Sequence, residues 1–110
     1  MDSSRFVSVS RTMTESGTTV VVAGELDEAA GPEVRRALIN AIVKGGVVDV
    51  DLSRVTFADS AAIRALLDAR VFAAQYHVGF RLLATTPTLR RLLTAAGAVD
   101  LHEEPAAQTA

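Results

Sequence analysis

A chain of 110 residues has the size of one compact domain with a single hydrophobic core. Eleven Lys and Arg against thirteen Asp and Glu leave a formal charge of −2, so there is no overall basic footprint for nucleic acid or an anionic membrane surface. The absence of cysteine excludes disulfides, thiolate metal sites and cysteine nucleophiles, and an aromatic content of 5% is too low for a base-stacking platform.

The opening residues Met1-Asp2-Ser3-Ser4-Arg5 have neither the basic start nor the apolar stretch of a secretory signal. No apolar run approaches the roughly 18 residues of a membrane span. A soluble, cytoplasmic protein without membrane insertion is expected, with one domain over residues 5–104 and a short tail over 105–110.

From Phe6 to Thr14 the side chains alternate, with Val7, Val9, Arg11 and Met13 on one side, and the turn Glu15-Ser16-Gly17-Thr18 leads into the buried strand pattern Thr19–Ala23. A hairpin is the simplest account. Gly24-Glu25-Leu26-Asp27 ends the second strand. Pro32 sits where a first helical turn needs no N–H, and Val34, Leu38, Ala41 and Ile42 recur at helical spacing until Gly45-Gly46. Val47–Leu52 forms a third strand. A second helix opens after Asp59-Ser60 and runs to about Tyr76, with Gly79 as its stop. Phe80–Ala84 is a strand, Pro87 starts a third helix carrying Leu89, Leu92 and Leu93, Gly97 closes it, and Ala98–Leu101 is a short final strand. The order is ββαβαβαβ. Strands joined through helices lie parallel, so the expected fold is α/β, a mixed four- or five-stranded sheet packed against helices.

Projection of the second helix places Ile63, Leu66, Leu67, Val71 and Ala74 on one side as the core stripe. Ala61, Ala65, Asp68, Ala69 and Phe72 lie nearly opposite. That second face either receives a partner with Phe72 as an anchor, or carries a Phe covered by the tail or a loop. Ser60 likewise has two readings. Asp-Ser before an apolar periodic run makes an ordinary N-cap, and a hydroxyl at a helix N-terminus is also a place where an added phosphate is electrostatically tolerated.

The carboxylates Glu25, Asp27, Glu28, Asp49, Asp51 and Asp59 gather near predicted strand ends but show no metal-ligand spacing, and His77 and His102 stand in no metal or catalytic motif. The sequence contains no GxxxxGK[ST] loop, no GxGxxG after a strand and no GxSxG elbow. Neither an enzyme, nor a cofactor, nor a metal is expected.

Gly24-Glu25-Leu26-Asp27 after a buried strand is followed about two dozen residues later by Asp51-Leu52-Ser53-Arg54-Val55-Thr56-Phe57-Ala58-Asp59-Ser60, and the third helix is introduced by Thr86-Pro87 and closed by Ala96-Gly97. This combination, spanning roughly Val7 to Leu101, resembles the STAS domains of bacterial anti-sigma factor antagonists. The resemblance implies a binding protein without catalysis of its own. It also implies that Ser60 is the phosphorylation site, that the unmodified protein binds an anti-sigma factor with serine kinase activity, and that a metal-dependent serine phosphatase restores the active form. Resemblance and helix projection together give Glu25, Asp27, Asp59, Ser60, Ala61, Arg64, Asp68 and Phe72 as the expected partner surface.

Two features depart from that family. Members often continue Asp-Ser with Ser-Gly-Leu-Gly, whereas this chain has Ala61-Ala62-Ile63-Arg64, which removes backbone freedom and sets a charge in the first turns of the helix. The final amphipathic helix is short or absent, because Pro105-Ala106-Ala107-Gln108-Thr109-Ala110 is too short to build one. The alternative function is a non-switching STAS subunit of a transporter or a stress-signalling assembly.

Overall fold

The computed structural model describes residues 7–83, 85–97 and 103–104. The expected hairpin is present: β1 (Val7–Met13) pairs antiparallel with β2 (Gly17–Leu26), from Val7↔Gly24 to Met13↔Thr18. Its turn is tied by the Thr14 N–H donating to the Gly17 carbonyl at 2.7 Å and by the Gly17 N–H donating to Thr14 Oγ1 at 3.2 Å.

A single 3₁₀ turn, Glu28–Ala30, then feeds α1 (Gly31–Lys44), with Pro32 in its first turn. The chain continues through β3 (Val47–Ala58), α2 (Ser60–Gln75), β4 (Gly79–Leu83), α3 (Pro87–Ala95) and β5 (Glu103–Glu104). The five strands stand in the order β1-β2-β3-β4-β5, and every pair after the hairpin is parallel. This is the α/β architecture expected from the order of elements.

Period-two alternation builds the core. Val20, Val22 and Leu26 of β2 and Val48, Val50 and Leu52 of β3 are buried on one face, where they meet Val34, Leu38 and Ile42 of α1 and Ile63 and Leu66 of α2. Each such Leu or Ile, removed wholly from water, contributes about 1.5–3 kcal/mol. The pleat thus decides which face of the sheet the helices cover.

Three details differ from expectation. β3 does not stop at Leu52 but runs to Ala58, because two register shifts against β2, between Val21 and Ala23 and between Gly24 and Glu25, absorb extra residues of β3. Such bulges break the alternation by which a strand is read.

The stop of α2 is His77 rather than Gly79. His77 takes φ 58°, its N–H donates to the Ala74 carbonyl at 3.2 Å, and the Val78 N–H reaches the Ala73 carbonyl at 2.9 Å. These are the paired bonds of a Schellman ending, here with histidine in the left-handed position. Gly79 instead opens β4.

The buried face of α2 is turned from the projected one. Ala62, Ala65, Ala69 and Ala73 are buried beside Ile63 and Leu66, whereas Val71 is 56% exposed and Ala74 is exposed too. Small side chains let α2 approach α1 and the sheet closely, so the alanines, which weigh little in a hydrophobic projection, form the contact. Finally, the strand expected over Ala98–Leu101 and the tail over 105–110 lie outside the described residues, as do Phe6, Ala84 and His102. The described β5 is the pair Glu103–Glu104, alongside Leu82 and Leu83.

Candidate functional site

The ends of β2 and β3 lie side by side, Leu26 opposite Ala58, so the residues that follow each strand emerge at the same edge of the sheet. Asp27 follows β2 and Asp59 follows β3. Each caps the helical turn it precedes: Asp27 Oδ1 accepts from the Ala30 N–H at 3.1 Å, and Asp59 Oδ1 accepts from the Ala62 N–H at 3.0 Å. Asp59 has a second task. Its Oδ2 accepts from the Glu28 N–H at 3.2 Å, and its own N–H donates to the Leu26 carbonyl at 3.3 Å, which ties the start of α2 to the loop after β2.

Because the carboxylate of Asp59 satisfies the N–H of Ala62, Ser60 is released from that duty. Ser60 is the first helical residue, it is exposed, and its hydroxyl makes no hydrogen bond among the described residues. Of the two readings of the Asp-Ser pair, the cap belongs to the aspartate. The serine carries a free nucleophilic oxygen at the positive end of a 16-residue helix.

Beside Ser60 a groove of about 170 Å³ runs between α2 and α3, lined by Ser60, Ile63, Arg64, Leu67, Leu92, Ala95 and Ala96. Its floor is apolar, and Arg64 is the one charged side chain in the lining. Ser60 and Arg64 are four residues apart, one turn along the same stripe of α2.

The remaining expected residues separate into groups. Ala61 and Asp68 are exposed on the same outward face of α2 as Ser60 and Arg64, and Asp68 is held by the Arg35 guanidinium of α1 at 2.8 Å. Glu25 is exposed at the end of β2, whereas Asp27 is half-buried by its capping role. Phe72 is a correction. It does not stand outward as projected, but packs against the core at the margin of the helix, with its ring 4.6 Å from that of Tyr76. Exposed apolar residues of this region include Val71, Tyr76 and, at the end of β3, Phe57, which is 53% exposed. Sequence reading missed Phe57. The signal was hidden by the second irregularity of β3, which separates Val55, turned inward, from Phe57, turned out.

Two other carboxylates, Asp49 and Asp51, have local structural partners. Asp49 accepts from Arg81 Nε at 2.7 Å and from its terminal nitrogen at 2.9 Å across β3 and β4, and Asp51 Oδ1 accepts from the N–H and hydroxyl of Ser53 at 2.9 and 2.7 Å. Among the described residues, no three His, Cys, Asp or Glu side chains gather where they could hold a metal ion, and no helix is long and apolar enough to cross a membrane.

The chain is thus a small α/β domain in which a strand-end aspartate caps a helix whose first residue is an unengaged serine, at one edge of a mixed sheet. The family model described as "Mlab, STAS domain" matches residues 9–103, and the chain belongs to that family. Among solved structures it is similar to the anti-sigma factor antagonist SpoIIAA in its unphosphorylated form, with a TM-score of 0.72 and 24% identity over 92% of this chain and 90% of that one. The phosphorylated form of the Bacillus cell fate determinant SpoIIAA gives 0.71 and 23% over 92% and 94%. An anti-sigma factor antagonist from Mycobacterium paratuberculosis gives 0.79 and 22% over 90% and 86%. At these identities the likeness is one of fold. No curated protein matches the chain closely enough to count as a relative.

Proposed function

We propose that this STAS domain is an anti-sigma factor antagonist: unmodified, it binds an anti-sigma factor with serine kinase activity through the outward face of α2, and phosphorylation of Ser60 releases it. The observation that carries this reading is the free hydroxyl of Ser60, exposed at the first position of α2 while Asp59 does the capping. A kinase can reach that oxygen without dismantling the helix end. The γ-phosphoryl group of ATP passes to Ser60 Oγ, the new P–O bond replacing the bond to the β-phosphate oxygen, ADP leaves, and the hydroxyl proton goes to the kinase. A metal-dependent serine phosphatase would reverse the state by delivering water to the phosphorus.

The modification adds about −1.5 to −2 charge next to the carboxylate of Asp59. The fold tolerates this at a helix N-terminus, but a partner surface fitted to a hydroxyl must then desolvate a dianion. A loss of about 2.7 kcal/mol weakens binding roughly a hundredfold, enough for a switch. Ser60, Arg64 and Asp68 supply the polar part of the face, and Ala61 and Val71 its apolar contact. Glu25 and the Asp27 loop flank it.

The test is the affinity of Ser60→Asp and Ser60→Ala for the co-purifying anti-sigma factor, measured by calorimetry. The Asp variant should lose most of the binding and the Ala variant keep it; equal affinities remove the charge switch. A second reading, a STAS subunit docked permanently in a transporter or stress-signalling assembly, is favoured by Ala62 and Arg64 standing where antagonists often carry glycine. Co-purification of a stoichiometric assembly with Ser60 unmodified would decide for it.

A further inference from the structure

Phosphorylation creates a charge problem that the unmodified protein does not have. A phosphate on Ser60 stands one residue from the Asp59 carboxylate, so about three negative charges would share the start of α2. Two hydrogen bonds engage that carboxylate, from Ala62 and Glu28, so it stays in place. From α3 only Leu92, Ala95 and Ala96 face the groove beside Ser60, and from α2 only Ile63, Arg64 and Leu67. The single charge within this lining is the guanidinium of Arg64, which is exposed and makes no ion pair among the described residues.

We infer that Arg64 is the counter-ion of the phosphorylated state: it folds back one turn of α2 to pair with the phosphate on Ser60, over the mouth of the α2–α3 groove. The inference rests on the proposed modification of Ser60 and adds the residue that reads it. Side chains four apart on a helix have Cβ atoms about 5–6 Å from each other, a span that an arginine covers easily. The order is the favourable one, with the anion N-terminal to the cation, so the pair also runs with the helix dipole. Guanidinium and phosphate match as a two-pronged, charge-assisted pair, which a lysine does not reproduce. Arg64 is thereby withdrawn from whatever carboxylate it meets on a partner in the unmodified state. The phosphate therefore acts twice, adding a charge to the interface and removing one that the partner used.

The test places phosphoserine at position 60 during translation and follows its second ionisation by ³¹P NMR, in the parent chain, in Arg64→Gln and in Arg64→Lys. The ordinary value is near 6, and the parent should titrate about 0.3 unit below the Gln variant, with the Lys variant between them. Raising the salt from about 0.1 M to 1 M shortens the screening length from about 10 Å to 3 Å and should shrink the difference. Identical titrations of the parent and the Gln variant overturn the inference. The two proposals fail separately: if phosphorylated and unmodified protein bind the anti-sigma factor equally, the switch falls while the titration difference stands. If the partner is released but the titrations coincide, Arg64 alone loses its role.

Discussion

Replacing Asp59 tests whether one carboxylate holds both the start of α2 and the loop after β2. In Asp59→Ala the Ala62 N–H loses its acceptor at 3.0 Å and the Glu28 N–H loses its own at 3.2 Å. The cap is worth about 1 kcal/mol, and the second bond, exposed but to a charged acceptor, about 1 kcal/mol more. For a domain of this length 1 kcal/mol corresponds to about 4 °C, so the alanine variant should melt about 8 °C lower. Asp59→Asn separates the two contributions: its amide oxygen still caps Ala62, but its nitrogen cannot accept from Glu28, so about half the loss is expected. The chain has one Tyr and no Trp, which makes far-UV circular dichroism, followed on heating and in urea, the appropriate assay. Hydrogen exchange at the Glu28 amide should quicken in both variants and at the Ala62 amide only in the alanine one. If asparagine costs as much as alanine, or if neither costs more than about 0.5 kcal/mol, the double role of Asp59 is refuted.

Two further substitutions test the backbone. His77→Gly relieves a side chain held at φ 58° and should stabilise the domain by about 0.5–1 kcal/mol in urea titration, despite the greater freedom glycine gives the unfolded chain. Gly46→Ala and Gly45→Ala form a matched pair, both at positive φ. A Cβ at Gly46 would lie 2.5 Å from the Ser16 carbonyl oxygen, while one at Gly45 meets open space, so the first should cost about 2–3 kcal/mol and the second about 1 kcal/mol in the same titration.

What the sequence revealed follows from which interactions are local. Pro32 and the Val34-Leu38-Ala41-Ile42 spacing located α1 because both act within a few residues, and the same holds for Thr86, whose hydroxyl accepts from the Leu89 N–H at 3.2 Å to start α3. β3 runs six residues past Leu52, where its alternation ends, because its bulges exist only in relation to β2. The buried face of α2 departs from its hydrophobic projection for a related reason. Four alanines become core residues only when α1 and the sheet approach them, and no projection of one helix contains that information. At the site, Asp59-Ser60 was legible as a helix start, whereas the bond from the Glu28 N–H to Asp59 joins residues 31 apart and depends on β2 and β3 ending together.

The division between Asp59 and Ser60 bears on how such a domain can be regulated without being destabilised. Were the serine the cap, its oxygen would accept from a helix N–H, and esterification would perturb the bond that starts α2. With the aspartate as cap, the carboxylate already holds the Ala62 and Glu28 N–H groups, and the serine oxygen carries no structural bond to lose. Ala62 extends the same logic. It is fully buried, so its methyl group packs in the core, and relative to glycine it favours the helical backbone by about 1 kcal/mol. Arg64, one turn beyond Ser60, points outward instead. One replacement stiffens the helix end from inside and the other adds a charge outside. Under the proposed switch, a change at Ser60 would be felt at the surface, in affinity for a partner, while the Asp59 carboxylate goes on holding the first turn of α2.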